Sequence, residues 1–372
     1  MERQSSVART PLNSVLVQRR RRRSSSKNHR QSYRSCVGAA SHLSYTPGLT
    51  TRRLTTSRRA PKSRTITEKV NPEQLSLLVR KEWQLSYVTP LCRFRHTRLK
   101  SYSRQLSAFL VADRQQGVAV EVEGPESSFK VSFCVVRGMA ETDSDAETVL
   151  IQIHSKSWFA GQDEPQRLVW SGWLTCVNGS PDYLRSLPQD FVCLPLFCSS
   201  GAERLTSSVK SWFQRTFDCC FGPLEINSTN LQWLAALWTN CHPESNIQHL
   251  KLMWSLPVAP PLEVTCTVHP QDAWELWRSV REQPQEEKEN GGGGGREEEG
   301  SVGIEEVTRF MKGLRSHFYR HFRLDLSAGG LKQVSTALGS AKHRGRIKIS
   351  NSSYMSATLM LLTECALLKM PI

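Results

Sequence analysis

His317 and His321 stand four residues apart in a segment whose apolar residues, Ile304, Val307, Met311, Leu314 and Phe318, fall at helical spacing. Two histidines one turn apart on one helical face can share a metal ion, and a metal there would serve a nucleic-acid-processing enzyme. Such a site asks for three or four protein ligands, and the neighbouring sequence offers no evident third. The competing reading is that both histidines simply flank a basic helical surface. No G-x-x-x-x-G-K-[ST] loop, G-x-G-x-x-G turn, H-E-x-x-H pair or G-x-S-x-G elbow occurs, so the common nucleotide and hydrolase signatures are missing. Asp190, Asp218 and Asp272 fall at element boundaries, where capping and turn roles outnumber general-base roles. The tryptophans sit at core-like spacing. No catalytic residue and no cofactor follow from these patterns, and the chain reads as a protein that is not an enzyme.

Cysteine chemistry is equally bare. The eleven cysteines include no C-x-x-C pair, which excludes a zinc ribbon or a thioredoxin-like motif. Their odd number and their scatter among Phe, Leu and Val suit reduced thiols used as small apolar side chains in a cytosolic or nuclear protein.

Positive charge is the residue pattern with a shape. Arg309, Lys312, Arg315, Arg320 and Arg323 lie in a helical stretch with no acid from Val307 to Leu324. Lys342, His343, Arg344, Arg346 and Lys348 cluster just downstream. In the second group Arg346 and Lys348 take one face of a predicted strand while Ile347 and Ile349 take the other. A helix face and a strand face of one sign can form a groove that tracks phosphates, and two separate solvated surfaces would look the same in sequence. We expect Arg309, Lys312, Arg320, Arg323, Arg346 and Lys348 to line a DNA-facing surface. With no Asn or Gln between Arg309 and Arg323 or between Arg346 and Lys348, nothing there would read adenine edges.

The elements that would carry these residues are mixed. Asn71-Pro72-Glu73-Gln74 starts a helix, with Leu75, Leu78, Val79 and Trp83 on its apolar face, and a second helix runs from Leu99 to about Gly117. Period-two runs follow at 118–122, 129–136, 149–153, 168–177 and 191–197. Helical spacing returns at 205–217 and 231–238, then strands at 249–256 and 263–268, and a short helix after His269-Pro270. The basic helix, strand-like 331–338, a strand at 346–349 and an apolar helix at 354–368 close the chain. Strands and helices come in blocks without β-α-β alternation, which predicts an α+β fold with an antiparallel or mixed sheet. The last helix is too interrupted by Ser356, Thr358, Thr363 and Glu364 to span a membrane. Its apolar character, with Ile347, Ile349, Leu359 and Leu362, suits either a partner interface or the chain's own core.

Charge is distributed unevenly. Residues 1–69 hold seventeen Lys/Arg and two Asp/Glu, with no Trp or Phe, while residues 70–372 hold thirty-two of each sign. A segment of that composition cannot offset its conformational entropy by burial, so 1–69 reads as a disordered basic arm ahead of a folded region, 70–372. Arg19, Arg20, Arg21, Arg22 and Arg23 fit a nuclear localisation or nucleic-acid patch; a mitochondrial transit peptide and a partnerless solvated tail share the composition. Residues 282–303 read as a flexible acidic, Gly-rich insertion.

Several ordered segments resemble one family. Trp83 with Thr89-Pro90-Leu91, Tyr102-Ser103-Arg104 with Ala108-Phe109, and Asp190-Phe191 with Cys193-Leu194-Pro195-Leu196-Phe197 are similar to the centromere protein L (CENP-L) family. So are Trp212-Phe213-Gln214 with Thr216-Phe217-Asp218-Cys219, Trp233 with Trp238-Thr239, His269-Pro270 with Asp272-Ala273, and Ser316-His317-Phe318 with Arg320-His321-Phe322. The match covers about residue 70 to the C-terminus. The longer, Arg-rich arm and the 282–303 insertion depart from the family pattern. The resemblance implies a non-enzymatic kinetochore subunit in the nucleus, at the centromere. It implies pairing with CENP-N, contacts with CENP-C and the CENP-H/I/K/M subcomplex, and a basic channel over the DNA of CENP-A nucleosomes.

Overall fold

The structure, a computed structural model, describes residues 70–115, 129–155, 166–240, 248–282 and 302–370, together with the backbone of 15–18. Expected features at 19–69, 118–122 and 283–301, including Arg19 to Arg23 and most of the acidic insertion, lie outside the described residues.

In chain order the elements begin with strand β1 (Val15–Gln18) and helix α1 (Pro72–Leu78). Asn71 caps α1, its side-chain oxygen accepting from the Glu73 N–H at 2.9 Å. The expected helix face stops short of Trp83. Arg80 takes a left-handed φ of 61°, and the chain turns into a strand, β2 (Glu82–Val88), that carries Trp83. Strand β3 (Leu91–Cys92), helix α2 (Leu99–Gln115) and strands β4 (Phe129–Val136), β5 (Thr148–Ser155) and β6 (Arg167–Thr175) follow. After the short helix α3 (Pro181–Ser186), the single strand expected over 191–197 is two: β7 (Phe191–Val192) and β8 (Leu196–Gly201). Pro195 lies between them, and they join different sheets. Helix α4 (Glu203–Phe217) ends on Asp218 in the left-handed region, then come β9 (Phe221–Pro223), α5 (Ser228–Thr239), β10 (Leu250–Leu256) and β11 (Leu262–Val268). Helices α6 (Pro270–Glu282) and α7 (Ile304–Phe322) precede strands β12 (Gly330–Ser335), β13 (Gly339–Lys342) and β14 (Arg346–Ile349), and α8 (Met355–Leu367) is last.

Twelve strands form one sheet in the order β1-β11-β10-β12-β13-β14-β2-β8-β6-β5-β4, with β9 also on β2. Every pairing between described strands is antiparallel, which places the protein in the α+β class. The two sides of the sheet are dressed differently. On one side α5, α6, α7 and α8 bury the apolar residues of nearly every strand, among them Trp83, Trp173, Trp254, Ile347 and Ile349. On the other, α2 and α4 cover only the β4-β5-β6-β8 half, over Val149, Ile151, Ile153, Leu174 and Phe197. Strand β5 is therefore buried on both faces, which is why its sequence runs apolar where strands beyond β2 alternate. An aromatic cluster locks the second layer: Tyr102 lies 5.1 Å from Phe217 and Trp212 5.1 Å from Phe213, ring to ring, edge on. Seven tryptophans are less than 2% exposed, so they are core.

Candidate basic surfaces on the two sides of the sheet

Side chains alternate across a strand, so the register of β12, β13, β14 and β2 fixes which polar residues share the uncovered half-face. Ile347 and Ile349 point into the helix-covered core, and Arg346 and Lys348 point away from it. Pairing aligns Gln333, Lys342, Arg346 and Gln84 in one row across four strands. A second row holds Lys251, Ser335, Ser340, Lys348 and Glu82. Four cations, Lys251, Lys342, Arg346 and Lys348, thus meet on one polar sheet surface over which no described helix packs. Lys342 and Arg346 are directly opposite, an arrangement that disfavours the sheet unless relieved. Two groups on β2 relieve it: Lys342 Nζ lies 2.7 Å from Glu82 Oε1, and Arg346 Nε donates to Gln84 Oε1 at 3.3 Å. Both contacts are solvent-exposed, so they orient the side chains more than they stabilise the fold. The β13–β14 turn is held by Gly345 at φ +70°, where an added Cβ would lie 2.1 Å from the Leu224 carbonyl oxygen.

Covered and uncovered halves meet at Lys210 of α4. Its Nζ donates to the buried Ser86 Oγ at 2.9 Å and lies 6.0 Å from the ring centres of Phe197 and Phe221. Burial lowers its pKa below the ordinary lysine value.

The other basic group is elsewhere. Helix α7 buries Val307, Phe310, Met311, Leu314 and Phe318 in the helix-side core, with Phe318 6.5 Å from Trp254. Lys312 and Arg320 are exposed on the outer side of that helix, Arg309 is half-buried beside them, and Arg323 is its exposed C-cap. Arg346 and Lys348 are thus separated from this group by the whole thickness of sheet and helix layer. The expectation of one groove built from both sets is corrected: the six residues divide between two opposite surfaces, because the strand face that is free is the one α7 does not pack on.

The expected partner contacts are corrected too. Ile347, Ile349, Leu359 and Leu362 are each no more than 2% exposed, inside the core with Trp83 and Trp238. Helix α8 is apolar all round because it is buried against α5, β2 and β8, where Trp238 Nε1 donates to Thr358 Oγ1 at 3.2 Å. These four side chains complete the chain's own fold.

His317 and His321 do adjoin, with ring centres 4.4 Å apart. Burial and the neighbouring His321 lower the pKa of His317 while Asp272 opposes them. Among the described residues no group of three or more His, Cys, Asp and Glu is placed to hold a metal. Asp190 and Asp218 have the structural roles their positions suggested: Asp190 accepts from Arg95 Nη2 at 2.9 Å, and Asp218 is the left-handed C-cap of α4. The sequence reading missed Asp145. Its buried carboxylate accepts from the backbone N–H of Glu141, Thr142, Asn178 and Gly179 at 2.8 to 3.2 Å, fastening the β4–β5 connection to the turn after β6. No sequence motif marks it, since the donors come from two distant segments.

The arrangement defines a class: an α+β protein whose large antiparallel sheet is a rigid platform, with polar, cation-bearing surfaces on both sides. Comparison with known proteins gives the family. The chain matches the Centromere protein L family over residues 77–367. It is 60% identical to Centromere protein L of Danio rerio over 339 residues, 91% of this chain and 89% of the relative. Identity to Centromere protein L of Homo sapiens is 42% over 311 residues, 83% of this chain and 86% of the relative, and to that of Gallus gallus 41% over 301 residues, 81% and 83%. The chain belongs to the centromere protein L family.

Proposed function

We propose that this protein is a structural subunit of the inner kinetochore that pairs with CENP-N on CENP-A chromatin and supports chromosome segregation. The observation that carries this reading is the family match, which spans the folded region from the last turn of α1 to the end of α8. Its work is positional: it binds no cofactor and performs no chemistry, and it presents surfaces to CENP-N, CENP-C, the CENP-H/I/K/M subcomplex and DNA. The uncovered sheet face supports the DNA part of the reading. Lys251, Arg346 and Lys348 are exposed there on regular strands, which suits contacts to phosphate without base readout. Arg19 to Arg23 supply nuclear import in this account. A pull-down of the tagged full chain from nuclear extract tests the pairing. CENP-N in equal amount is the expected result, and its absence under mild salt would remove the reading.

A further inference from the structure

The sheet has two outer strands within the folded region, and the chain treats their edges differently. At β4 side chains of α1 and α2 take up three of the outward backbone groups. Phe133 N–H donates to Ser103 Oγ at 3.1 Å, Ser107 Oγ donates to Phe129 O at 2.5 Å, and Gln74 Nε2 donates to Val135 O at 3.1 Å. Those bonds obstruct a further strand along that edge. At the far end lies β11, Leu-Glu-Val-Thr-Cys-Thr-Val, paired with β10 through seven consecutive residues without a bulge. It contains no Pro, Gly, Lys or Arg, residues by which sheets ordinarily blunt an edge, and its one charge, Glu263, lies near its start. A regular β-branched edge of that kind templates another strand.

What lies on it is β1, four residues from a distant, strongly basic part of the chain. Val15, Leu16, Val17 and Gln18 pair antiparallel with Cys266, Thr265, Val264 and Glu263. Leu262, Thr267 and Val268 extend beyond this cover. The register sets Val15 and Val17 opposite Cys266 and Val264, the β11 residues whose side chains belong to the core.

We propose that the outer edge of β11 is a strand-exchange site: residues 15–18 hold it within the chain and yield it to an extended segment of a protein partner. The complementary segment is antiparallel, up to seven residues long, with β-branched or apolar residues at alternate positions facing Val264, Cys266 and Val268. A seven-residue strand pairs the whole of β11, whereas the resident segment pairs four positions, which favours replacement once the competitor is at hand. Tethering works against this, since a linked strand acts at an effective concentration of roughly millimolar. A free peptide at micromolar concentration therefore competes poorly, and a partner anchored elsewhere on the molecule competes well. The partner's identity rests on the pairing with CENP-N proposed above; the competence of the edge does not.

The test uses the full chain and its Leu16→Pro/Val17→Pro variant. Successive strand residues point their N–H groups to opposite sides, so one of the two prolines removes an inward donor whichever way β1 faces. Hydrogen exchange is read at 262–268 and, as an internal control, at Leu250–Leu256. A fluorescent peptide of residues 11–20 and purified CENP-N are then titrated onto both proteins. The expected results are about tenfold faster exchange of outward β11 amides in the variant with β10 unchanged, and peptide and CENP-N binding tightened about tenfold by removal of the competitor. Equal exchange in both proteins would show that residues 15–18 do not cover the edge. A variant that binds no peptide would show that the edge does not accept strands. Equal affinity of both proteins for CENP-N would overturn the exchange with that partner. CENP-N binding to neither, with peptide binding intact, would strike the proposed pairing and leave the edge standing as a strand acceptor.

Discussion

If the uncovered sheet face meets DNA, replacing Arg346 and Lys348 by Ala has a calculable effect on salt dependence. The face carries four cations, of which Lys342 is already engaged by Glu82 at 2.7 Å, leaving Lys251, Arg346 and Lys348 for phosphates. At about −0.9 per phosphate contact on duplex DNA, these three contribute about −2.7 to the slope of log affinity against log salt. Removing two of them flattens the slope by about 1.8, which between 50 and 200 mM salt amounts to about a twelvefold smaller loss of affinity than the parent suffers. Fluorescence anisotropy on short AT-rich and GC-rich duplexes, with the full chain and the double variant side by side, reads this difference. The arm's own charges are common to both proteins and cancel. The same change is expected on every duplex, because Lys and Arg on this face contact backbone and not base edges. Lys312→Ala/Arg320→Ala serves as the geometric control. Those residues lie on the opposite side of the molecule, so their effect, whatever its size, adds to that of the sheet pair without coupling. An unchanged slope in the Arg346/Lys348 variant would refute the DNA-facing sheet. Strong coupling between the two pairs would refute the division of the basic residues into two surfaces.

Leu362→Ala should lower stability by about 2 to 5 kcal/mol in urea unfolding, the cost of a core cavity, where a surface contact residue would leave the isolated chain unchanged. Asp145→Ala strands four backbone donors around a buried carboxylate and should cost at least about 3 kcal/mol, and Asp145→Asn should not fully rescue it, because three donors converge on Oδ2 and the fourth on Oδ1, so either amide orientation turns an NH2 toward a backbone N–H. Lys210 binds its proton less tightly in the folded protein than in the unfolded chain, whose lysines titrate near 10.5. The resulting penalty is complete below the folded pKa and disappears as pH rises from there toward 10.5, so the parent should gain stability relative to Lys210→Met over that window; parallel pH curves would contradict the burial of this amine.

Local signals in the sequence were good guides to local structure. Asn71-Pro72 announced a helix start through its capping chemistry, and α4, α5 and α7 followed from apolar spacing. Trp83 was misplaced on that first helix because helical spacing from Leu75 and Leu78 runs through it by coincidence. The helix ends at Leu78, where Val79 turns extended and the left-handed Arg80, its N–H donating to Ile349 O at 2.7 Å, redirects the chain into the sheet. Strand β13, Gly-Ser-Ala-Lys, has one apolar residue and no periodicity to find; its pairing on both sides makes it a strand. The alternation of Arg346 and Lys348 with Ile347 and Ile349 was legible, whereas the side of the sheet they face was not. That depends on the order β12-β13-β14-β2 and on which layer α7 joins, both set by contacts between residues far apart in sequence. For the same reason Lys251 escaped notice and Lys342, though counted in the downstream cluster, was left off the expected surface: each joins the basic face only through its register with a neighbouring strand.

The central claim, a structural kinetochore subunit that acts with CENP-N, is tested most directly by imaging the fluorescently tagged full chain in dividing cells with and without CENP-N. The account predicts paired foci coincident with CENP-A that disperse when CENP-N is depleted. A signal spread through the nucleus in unperturbed cells, or one that follows mitochondria, would contradict it.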